Sequence, residues 1–241
     1  MMKMKCKPVE QFVALLKQSP TGRVFNPWWQ IDAENDIGPT APRVRREQLR
    51  VYLCARLRTA RLAVIGEALG YRGGHFTGIA MTSERILLGR SKPIIVSSDL
   101  VLPGLGPRRT SNPAKCASGF SEPTATIVWS ALLAAGFHPL EFVLWNAFPW
   151  HSFDLSRGML SNRIPTKGEQ AAGLPVLRAF LGVFRFQQVI VLGKIAASQL
   201  EKMKILATCT RHPASGGARI FRRQIASLKP VPGQKTLAEA T

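Results

Sequence analysis

Three short stretches of the sequence each place a chemically capable side chain at the end of an apolar run. Glu67 lies in GEALG (residues 66–70), Asn146 in LWNAFP (residues 144–149) and His212 in RHPASGG (residues 211–217). A carboxylate can hold a water, a carboxamide offers a donor and an acceptor, and an imidazole can donate to an oxygen that gains negative charge. Each also has a structural alternative: a carboxylate that only supports the fold, an amide that satisfies a turn, and a hydrogen-bonded loop histidine.

The glycines around the first stretch indicate a close approach of a ligand to the backbone. The run LAVI at residues 62–65 is typical of a buried parallel strand, and glycines follow it at positions 66, 70, 73, 74 and 78. Open α/β sheets bind ligands at the C-terminal ends of their strands, although a tight turn without a ligand is the alternative. The spacing does not match GxGxxG, GxxxxGK[ST] or GxSxG, which argues against a dinucleotide fold, a P-loop and a hydrolase elbow.

Apolar runs alternate with helical patterns along the chain. Strands are predicted at residues 62–65, 141–146, 187–192 and 205–209, and a short added strand could lie at 94–96. Helices are predicted at residues 44–58, 121–135, 169–184, 196–202 and 219–228. This alternation predicts an α/β fold, a three-layer α/β/α sandwich with a central, mainly parallel four-stranded sheet. We place a single domain at residues 1–229 and a flexible C-terminal tail at 230–241.

The three stretches, in this order, resemble the motifs of the uracil-DNA glycosylase superfamily. GEALG with TGIAM (residues 77–81) resembles the first motif, LWNAFP the second and RHPASGG the third. The resemblance implies a monofunctional base-excision repair hydrolase that flips uracil out of DNA and hydrolyses the N-glycosidic bond, with other deaminated bases left open as further substrates. It implies that Glu67 and His212 are catalytic. The implied base-binding residues are Gly66, Ala68, Phe76, Met81 and Asn146, and the implied DNA-binding residues are Ser215, Gly216, Gly217 and Arg219.

The sequence departs from its relatives at the position that activates water. That position is third in the first motif, is Asp in some branches and Asn in others, and is Ala68 here. The iron–sulfur branch also has alanine after a glutamate, but its cluster cysteines are absent, and the spacing is closer to the single-strand-selective branch. We therefore expect a divergent branch between these two, in which Glu67 holds the water. The alternative is a catalytically weak or inactive protein that binds damaged DNA or abasic sites.

Two further roles follow from the resemblance. Relatives place a phenyl ring under the flipped base, where this chain has Met81. A thioether can cover a base softly, or Phe76 can take over the stacking. The loop after His212 lacks a bulky side chain to insert into the DNA, which Arg219 or Phe221 could supply.

The charge balance favours a polyanionic partner. The chain holds 33 Lys and Arg against 14 Asp and Glu, a net charge of +19. Such a field attracts nucleic acid or an acidic membrane surface. Because no run reaches transmembrane length, we expect uracil-containing DNA as the partner of a cytoplasmic monomer, nucleoid-associated if bacterial. The arginine-rich helix at 44–58 and the basic insert at 84–122 could grip phosphates, or be a solvated helix face and a family-specific insert.

Neither a metal nor another cofactor is predicted. The cysteines lie far apart, at positions 6, 54, 116 and 209, and no CxxC occurs. Cys209 and His212 have ligand-like spacing, but no second pair completes a site.

The acidic cluster of Asp32, Glu34 and Asp36 fits loop turns and helix caps, with a pocket rim as the alternative.

Overall fold

The chain folds around a four-stranded parallel sheet. The computed structural model describes residues 6–228. The central sheet has the strand order β3-β2-β5-β6, and a separate two-stranded sheet pairs β1 with β4. The strands are β1 (Val24–Phe25), β2 (Leu62–Ala68), β3 (Phe142–Phe148), β4 (His151–Ser152), β5 (Gln188–Leu192) and β6 (Thr208–Thr210). The helices are α1 (Lys7–Leu15), α2 (Ala41–Arg56), α3 (Gly74–Thr77), α4 (Glu84–Leu87), α5 (Ser98–Val101), α6 (Pro123–Ala134), α7 (Lys167–Val183), α8 (Lys194–Lys202) and α9 (Ala218–Ala226).

The predicted three-layer α/β/α sandwich is confirmed. Helices flank the central sheet, and every strand pairing in it is parallel. The apolar strand β3 is buried along its whole length, as a central strand covered on both faces must be. The strand β2 runs to Ala68, beyond the predicted end at residue 65, so that Gly66 and Glu67 belong to the strand itself. The strand β6 begins at Thr208 rather than at residue 205.

The predicted short strand at residues 94–96 is wrong. These residues are irregular, and no described strand pairs with them. Ile94 is 69% exposed, whereas Val96 packs into the core. A short apolar run predicts burial of some of its side chains, but a strand also needs a free sheet edge beside it.

Helix α7 fixes the end of β3, where the second motif lies. It begins with a capping box in which Thr166 accepts from the Glu169 N–H and the Glu169 carboxylate accepts from the Thr166 N–H. Arg163 adds a two-pronged ion pair to Glu169. Farther along, a Cβ at Gly173 would lie 3.0 Å from the carbonyl oxygen of Ala147. The glycine therefore allows the helix to press directly on the strand.

Two arginines of α2 are buried rather than solvated. The Arg45 guanidinium forms an ion pair with Asp36 at 2.5 Å and donates to the carbonyl oxygen of Gln30. Arg56 donates to four backbone carbonyl oxygens, those of Tyr52, Leu100, Val101 and Phe142. Buried cations need such partners because desolvation costs several kcal/mol per ion. The interpretation of α2 as a solvated or phosphate-binding face is therefore wrong for Arg45 and Arg56, and Asp36 is a structural partner.

Much of the basic insert at residues 84–122 is closed by internal contacts. The buried carboxylate of Glu84 accepts hydrogen bonds from the backbone N–H groups of Thr110, Ser111 and Phe120 and from the Ser111 hydroxyl. Cations of the insert also bond internally: Arg108 with Glu47, Lys115 with Glu34, and Arg109 with the carbonyl oxygens of Ser111, Cys116 and Ala117. These cations therefore hold the insert together, whereas Arg90 and Lys92 are exposed.

A buried histidine pair connects the first motif to β4. His75 in α3 and His151 in β4 are fully buried, and their Nδ1 atoms lie 3.0 Å apart. His151 Nε2 lies 2.7 Å from the carbonyl oxygen of Ser161, and His75 Nε2 lies 3.1 Å from a carboxylate oxygen of Asp32. Burial lowers the pKa of both imidazoles, that of His151 to about 3. Asp32 is therefore a partner of this pair.

We expect the contribution of His151 to the free energy of unfolding to fall as the pH drops below about 6.5, the ordinary pKa of an unfolded histidine. Buried His151 stays neutral down to a pH of about 3. Between these values only the unfolded state binds the proton, so each pH unit costs about 1.4 kcal/mol of unfolding free energy. Urea unfolding of wild type and of His151→Gln near pH 7 and near pH 5 separates this contribution from that of the other titrating groups. The stability advantage of wild type over His151→Gln should shrink on acidification, whereas the control His138→Gln should keep the wild-type pH dependence. A difference between wild type and His151→Gln that does not change with pH would contradict the expectation.

The domain division at residues 1–229 stays a prediction, and the predicted tail at 230–241 lies outside the described residues. Within residues 6–228, no helix combines the length and the apolar character needed to cross a membrane.

Candidate active site

Asn146 carries a buried carboxamide without hydrogen-bond partners. The residue lies near the end of β3 and is 2% exposed, and neither Oδ1 nor Nδ2 bonds to any described residue. Buried polar groups in folded proteins are nearly always paired, because an unpaired one costs about 1–3 kcal/mol. An unpaired donor beside an unpaired acceptor is therefore suited to a ligand whose edge presents the complementary pair.

Gly66 faces Asn146 from the neighbouring strand β2. The two residues are register partners, and a Cβ at position 66 would lie 2.5 Å from Asn146 Oδ1. No real side chain tolerates that distance, so close approach, rather than an unusual backbone angle, demands glycine here. The structure thus brings together two of the predicted base-binding residues.

Met81 completes this cluster from the segment after α3. Its Sδ would lie 3.3 Å from a Cβ at Gly66. Its φ of +48° lies in the left-handed region, which costs a residue with a side chain about 1–2 kcal/mol. Strain of this kind in a buried residue is typical of functional sites. Met81 therefore lies beside the Asn146 amide. The sequence predicted that the Met81 side chain covers one face of a bound base.

His212 follows β6 and is held as a neutral donor. The backbone N–H of Ala214 donates to His212 Nδ1 at 3.1 Å, so the proton of the neutral ring resides on Nε2. Burial, with a smaller contribution from Arg211, lowers the pKa of His212. A Cβ at Gly193, the N-cap residue before α8, would lie 3.4 Å from His212 Cβ. The imidazole is therefore half-buried against the start of α8 with its Nε2–H available.

Asn146 and His212 approach the same end of the sheet from opposite edges. Asn146 lies on β3 and His212 follows β6, which are the two outer strands. Three strand spacings of about 4.8 Å, roughly 14 Å in all, separate these strands. Two side chains that reach inward across such a gap can contact opposite sides of a single nucleoside.

Glu67 and Ala68 end β2 beside this cluster. Side chains alternate along a strand, which places Ala68 on the same face as Gly66 and Glu67 on the other. Burial raises the pKa of Glu67, and no described residue forms a hydrogen bond or ion pair with its carboxylate. The structure therefore does not bring Glu67 and Asn146 together across the sheet face.

A comparison with protein families matches residues 56–230 to the uracil DNA glycosylase superfamily. The chain belongs to this superfamily. Among solved structures it is similar to wild-type SMUG2 from Pedobacter heparinus, with a TM-score of 0.61 and 14% identity over 91% of this chain and 95% of that one. The structural likeness shows a shared fold. No curated protein matches the sequence significantly. Membership of the superfamily supports a DNA glycosylase hydrolase that acts on DNA in base-excision repair.

The third superfamily motif forms a tight loop with small exposed residues. Ser215 and Gly216 are exposed and have positive φ angles of +51° and +77°. Gly217 is buried, and a Cβ there would lie 2.0 Å from the His212 carbonyl oxygen, so the glycine lets the loop close on itself. This burial argues against direct DNA contact by Gly217. Arg219 is exposed at the start of α9.

Two aromatic residues that the sequence suggested as contacts to DNA or to the base are buried in the fold. Phe221 is fully buried in α9, so the prediction that it could insert into DNA is wrong. Phe76 is also fully buried, with its ring stacked on Phe120 at 4.5 Å and packed against His75. Phe76 therefore supports the fold under the half-buried Phe120, which leaves Met81 as the better candidate to cover a base.

Sequence reasoning missed Gly193 and Glu122. The sequence analysis assigns no site role to Gly193, which follows the strand predicted at residues 187–192, but its φ is +84° and it lies against His212. It assigns none to Glu122 either, within the helix predicted at residues 121–135, but the Glu122 carboxyl group lies against Gly70 and Gly73 of the first motif. A glutamate just before a helical proline and a glycine just after a strand are both common patterns, so neither residue carries a signal in the sequence.

Across residues 6–228, no three His, Cys, Asp or Glu side chains cluster in a way that could hold a metal ion.

Proposed function

We propose that the protein is a monofunctional uracil-DNA glycosylase that hydrolyses the N-glycosidic bond of a flipped uracil. The observation that carries this proposal is the buried, unpaired carboxamide of Asn146 beside Gly66. Uracil presents a carbonyl at O4 next to an N–H at N3. Asn146 Nδ2 donates to O4, and its Oδ1 accepts from N3–H. Because Asn146 is 2% exposed, the base must leave the helical stack to reach it.

His212 stabilises the base as it departs. Breaking the N-glycosidic bond moves negative charge onto the uracil ring and its carbonyl oxygens. The Nε2–H of His212 donates to a carbonyl oxygen that gains this charge, and a neutral ring suffices because no proton need be transferred. The lowered pKa of His212 keeps the ring neutral at physiological pH, and the Ala214 N–H fixes the tautomer that presents Nε2–H.

Glu67 holds the water that attacks the sugar. Ala68 has no side-chain group that can bind water, which leaves Glu67 as the residue of GEALG whose side chain can accept a hydrogen bond. The carboxylate has no partner in the described chain, so it is available to orient a water at the edge of the sheet. Met81 covers one face of the base, and the exposed Arg219 contacts the DNA backbone.

The position of Ala68 favours one alternative function. If Glu67 cannot reach the sugar from its own face of β2, the protein binds flipped bases or abasic sites without excising them. The same amide and imidazole contacts serve such a binding protein, because both recognise the base rather than the water.

One assay separates the two functions. The protein is incubated with single- and double-stranded oligonucleotides that contain one uracil, then treated with alkali to cleave abasic sites. We expect strand cleavage at the uracil position and none in matched oligonucleotides that contain thymine. Tight uracil-dependent binding without cleavage would support the binding protein. Absence of both cleavage and binding would refute both functions.

A further inference from the structure

Glu122, which the proposed reaction does not use, has its carboxyl group buried against the first motif. Glu122 immediately precedes α6. A Cβ at Gly73 would lie 1.9 Å from Glu122 Oε2, and a Cβ at Gly70 would lie 3.2 Å from Oε1. Any side chain at position 73 would collide with the carboxyl group. The two glycines of the turn therefore form a cradle that this one group fills.

The Glu122 carboxyl group lacks a partner. Its Oε2 is buried and makes no hydrogen bond within residues 6–228. Burial raises the pKa of Glu122 to about 7. Ionisable residues of the surrounding elements are Glu67, Arg72 and His75 of the first motif segment, Glu84 of α4, Arg163 beside Asn162, and Arg219, Arg222 and Arg223 of α9. In the described chain none of them pairs with Glu122: Glu84 is engaged by the insert, Arg163 by Glu169, and His75 by Asp32.

The cradle lies at the edge of the sheet where DNA is proposed to bind. Gly70 and Gly73 follow the C-terminal end of β2, and Gly73 caps α3. Between them, the N–H of Tyr71 donates to Asn162 Oδ1 at 3.0 Å, and Arg72 is exposed. DNA bound at this edge brings phosphate charge close to a carboxyl group that no cation compensates. Negative charge nearby disfavours a second negative charge.

We propose that Glu122 is a proton-linked positioning residue for DNA binding: the protein binds the strand with this carboxyl group neutral and takes up a solvent proton there as the complex forms. The inference rests on the proposed action on DNA. In the neutral form the group supports the turn from Gly70 to Gly73 without placing a buried charge beside the phosphates. In the ionised form it opposes the approach of the strand.

The direction of the pH dependence follows from linkage. If the pKa of Glu122 is higher in the complex than in the free protein, the complex holds more protons, and affinity falls as the pH rises through the free value of about 7. A rise in this pKa of about half a unit to one unit corresponds to about a 2- to 6-fold increase in Kd between about pH 6.5 and about pH 8.5.

Binding is measured with an oligonucleotide that contains one 2′-fluorinated deoxyuridine, which resists hydrolysis, at constant ionic strength. Wild type should show about a 2- to 6-fold weakening between about pH 6.5 and about pH 8.5. Glu122→Gln, which keeps the shape of the group but cannot ionise, should bind with little pH dependence and more tightly than wild type at high pH. Glu201→Gln, which removes an exposed carboxylate on α8, is the matched control and should retain the wild-type slope. An unchanged slope in Glu122→Gln would overturn the proposal.

A measurement on the unmodified protein makes the test independent of how the variant folds. Calorimetric titration with the same oligonucleotide, near pH 7.5 in buffers of different ionisation enthalpy, should report net uptake of a fraction of a proton. Binding without proton uptake would overturn the role of Glu122 and leave the proposed function intact. Absence of binding at every pH would instead refute the proposed function.

Discussion

Replacing His212 by alanine is expected to lower the rate of uracil excision about 100- to 1,000-fold, the usual effect of losing one donor to a developing oxyanion. The donor is Nε2–H, which the hydrogen bond from the Ala214 N–H to Nδ1 leaves free. The fold should survive, because the ring is half-buried beside Gly193 and its described hydrogen bond is this single bond within its own loop. Single-turnover kinetics with a uracil-containing strand measure the loss, and thermal unfolding checks the fold.

Two variants sharpen this test. His212→Gln retains an N–H donor and should recover part of the rate, whereas His138→Ala, which changes a histidine outside the three motifs, should excise at the wild-type rate. Because the proposed mechanism uses His212 as a neutral ring, we expect no loss of rate between about pH 6.5 and about pH 8 from its titration. Near-normal turnover in folded His212→Ala would remove the residue from the mechanism.

Asn146→Asp is expected to change which base the protein excises. The variant loses the Nδ2 donor and faces uracil O4 with an acceptor. A buried unpaired polar atom costs about 1–3 kcal/mol, or about a 5- to 150-fold loss in uracil excision, and repulsion between the two oxygens adds to it. Cytosine presents an amino donor at the same position and should gain relative to uracil, although its N3 still lacks a donor. Excision of uracil and of cytosine by wild type and variant gives the ratio.

The pH dependence of this variant provides an internal control. The aspartate would occupy the buried environment of Asn146, which favours the protonated form, so acid should restore part of the uracil excision. Gly66→Ala is a steric companion, because its Cβ would lie 2.5 Å from Asn146 Oδ1 and would displace the amide without changing its chemistry. A uracil-to-cytosine ratio that stays constant at neutral pH would show that Asn146 does not read the base.

The sheet and the order of the motifs could be predicted because they depend on local patterns. Buried parallel strands are continuous apolar runs, so residues 62–65, 141–146 and 187–192 mark β2, β3 and β5 closely. The motif residues at their C-terminal ends then follow from the geometry of parallel sheets. The exact end of β2 did not follow, because its last three residues, Gly66, Glu67 and Ala68, lack the β-branched character that indicates a strand.

The uses of the charged residues could not be predicted, because they depend on partners distant in sequence. Composition counts the arginines but does not reveal that Arg45 meets Asp36 or that Arg56 meets carbonyl groups from α2, β3 and the insert. The same holds for Glu122, which is unremarkable in sequence and becomes informative only when Gly70 and Gly73 are seen to enclose it. Long-range pairing of this kind is decided by the tertiary fold.

The left-handed backbone at Met81 limits how this protein can be made more heat-resistant. Glycine would adopt the φ of +48° without the cost of about 1–2 kcal/mol that a side chain incurs there. The same replacement would remove a buried side chain, because Met81 is 5% exposed and packs into the core beside the Asn146–Gly66 pair. Truncating a buried methionine costs about 2–5 kcal/mol, which exceeds the relieved strain. Removing the strain at this position therefore does not make the protein more heat-resistant. Engineering for thermal tolerance has to leave Met81 in place and act elsewhere in the chain.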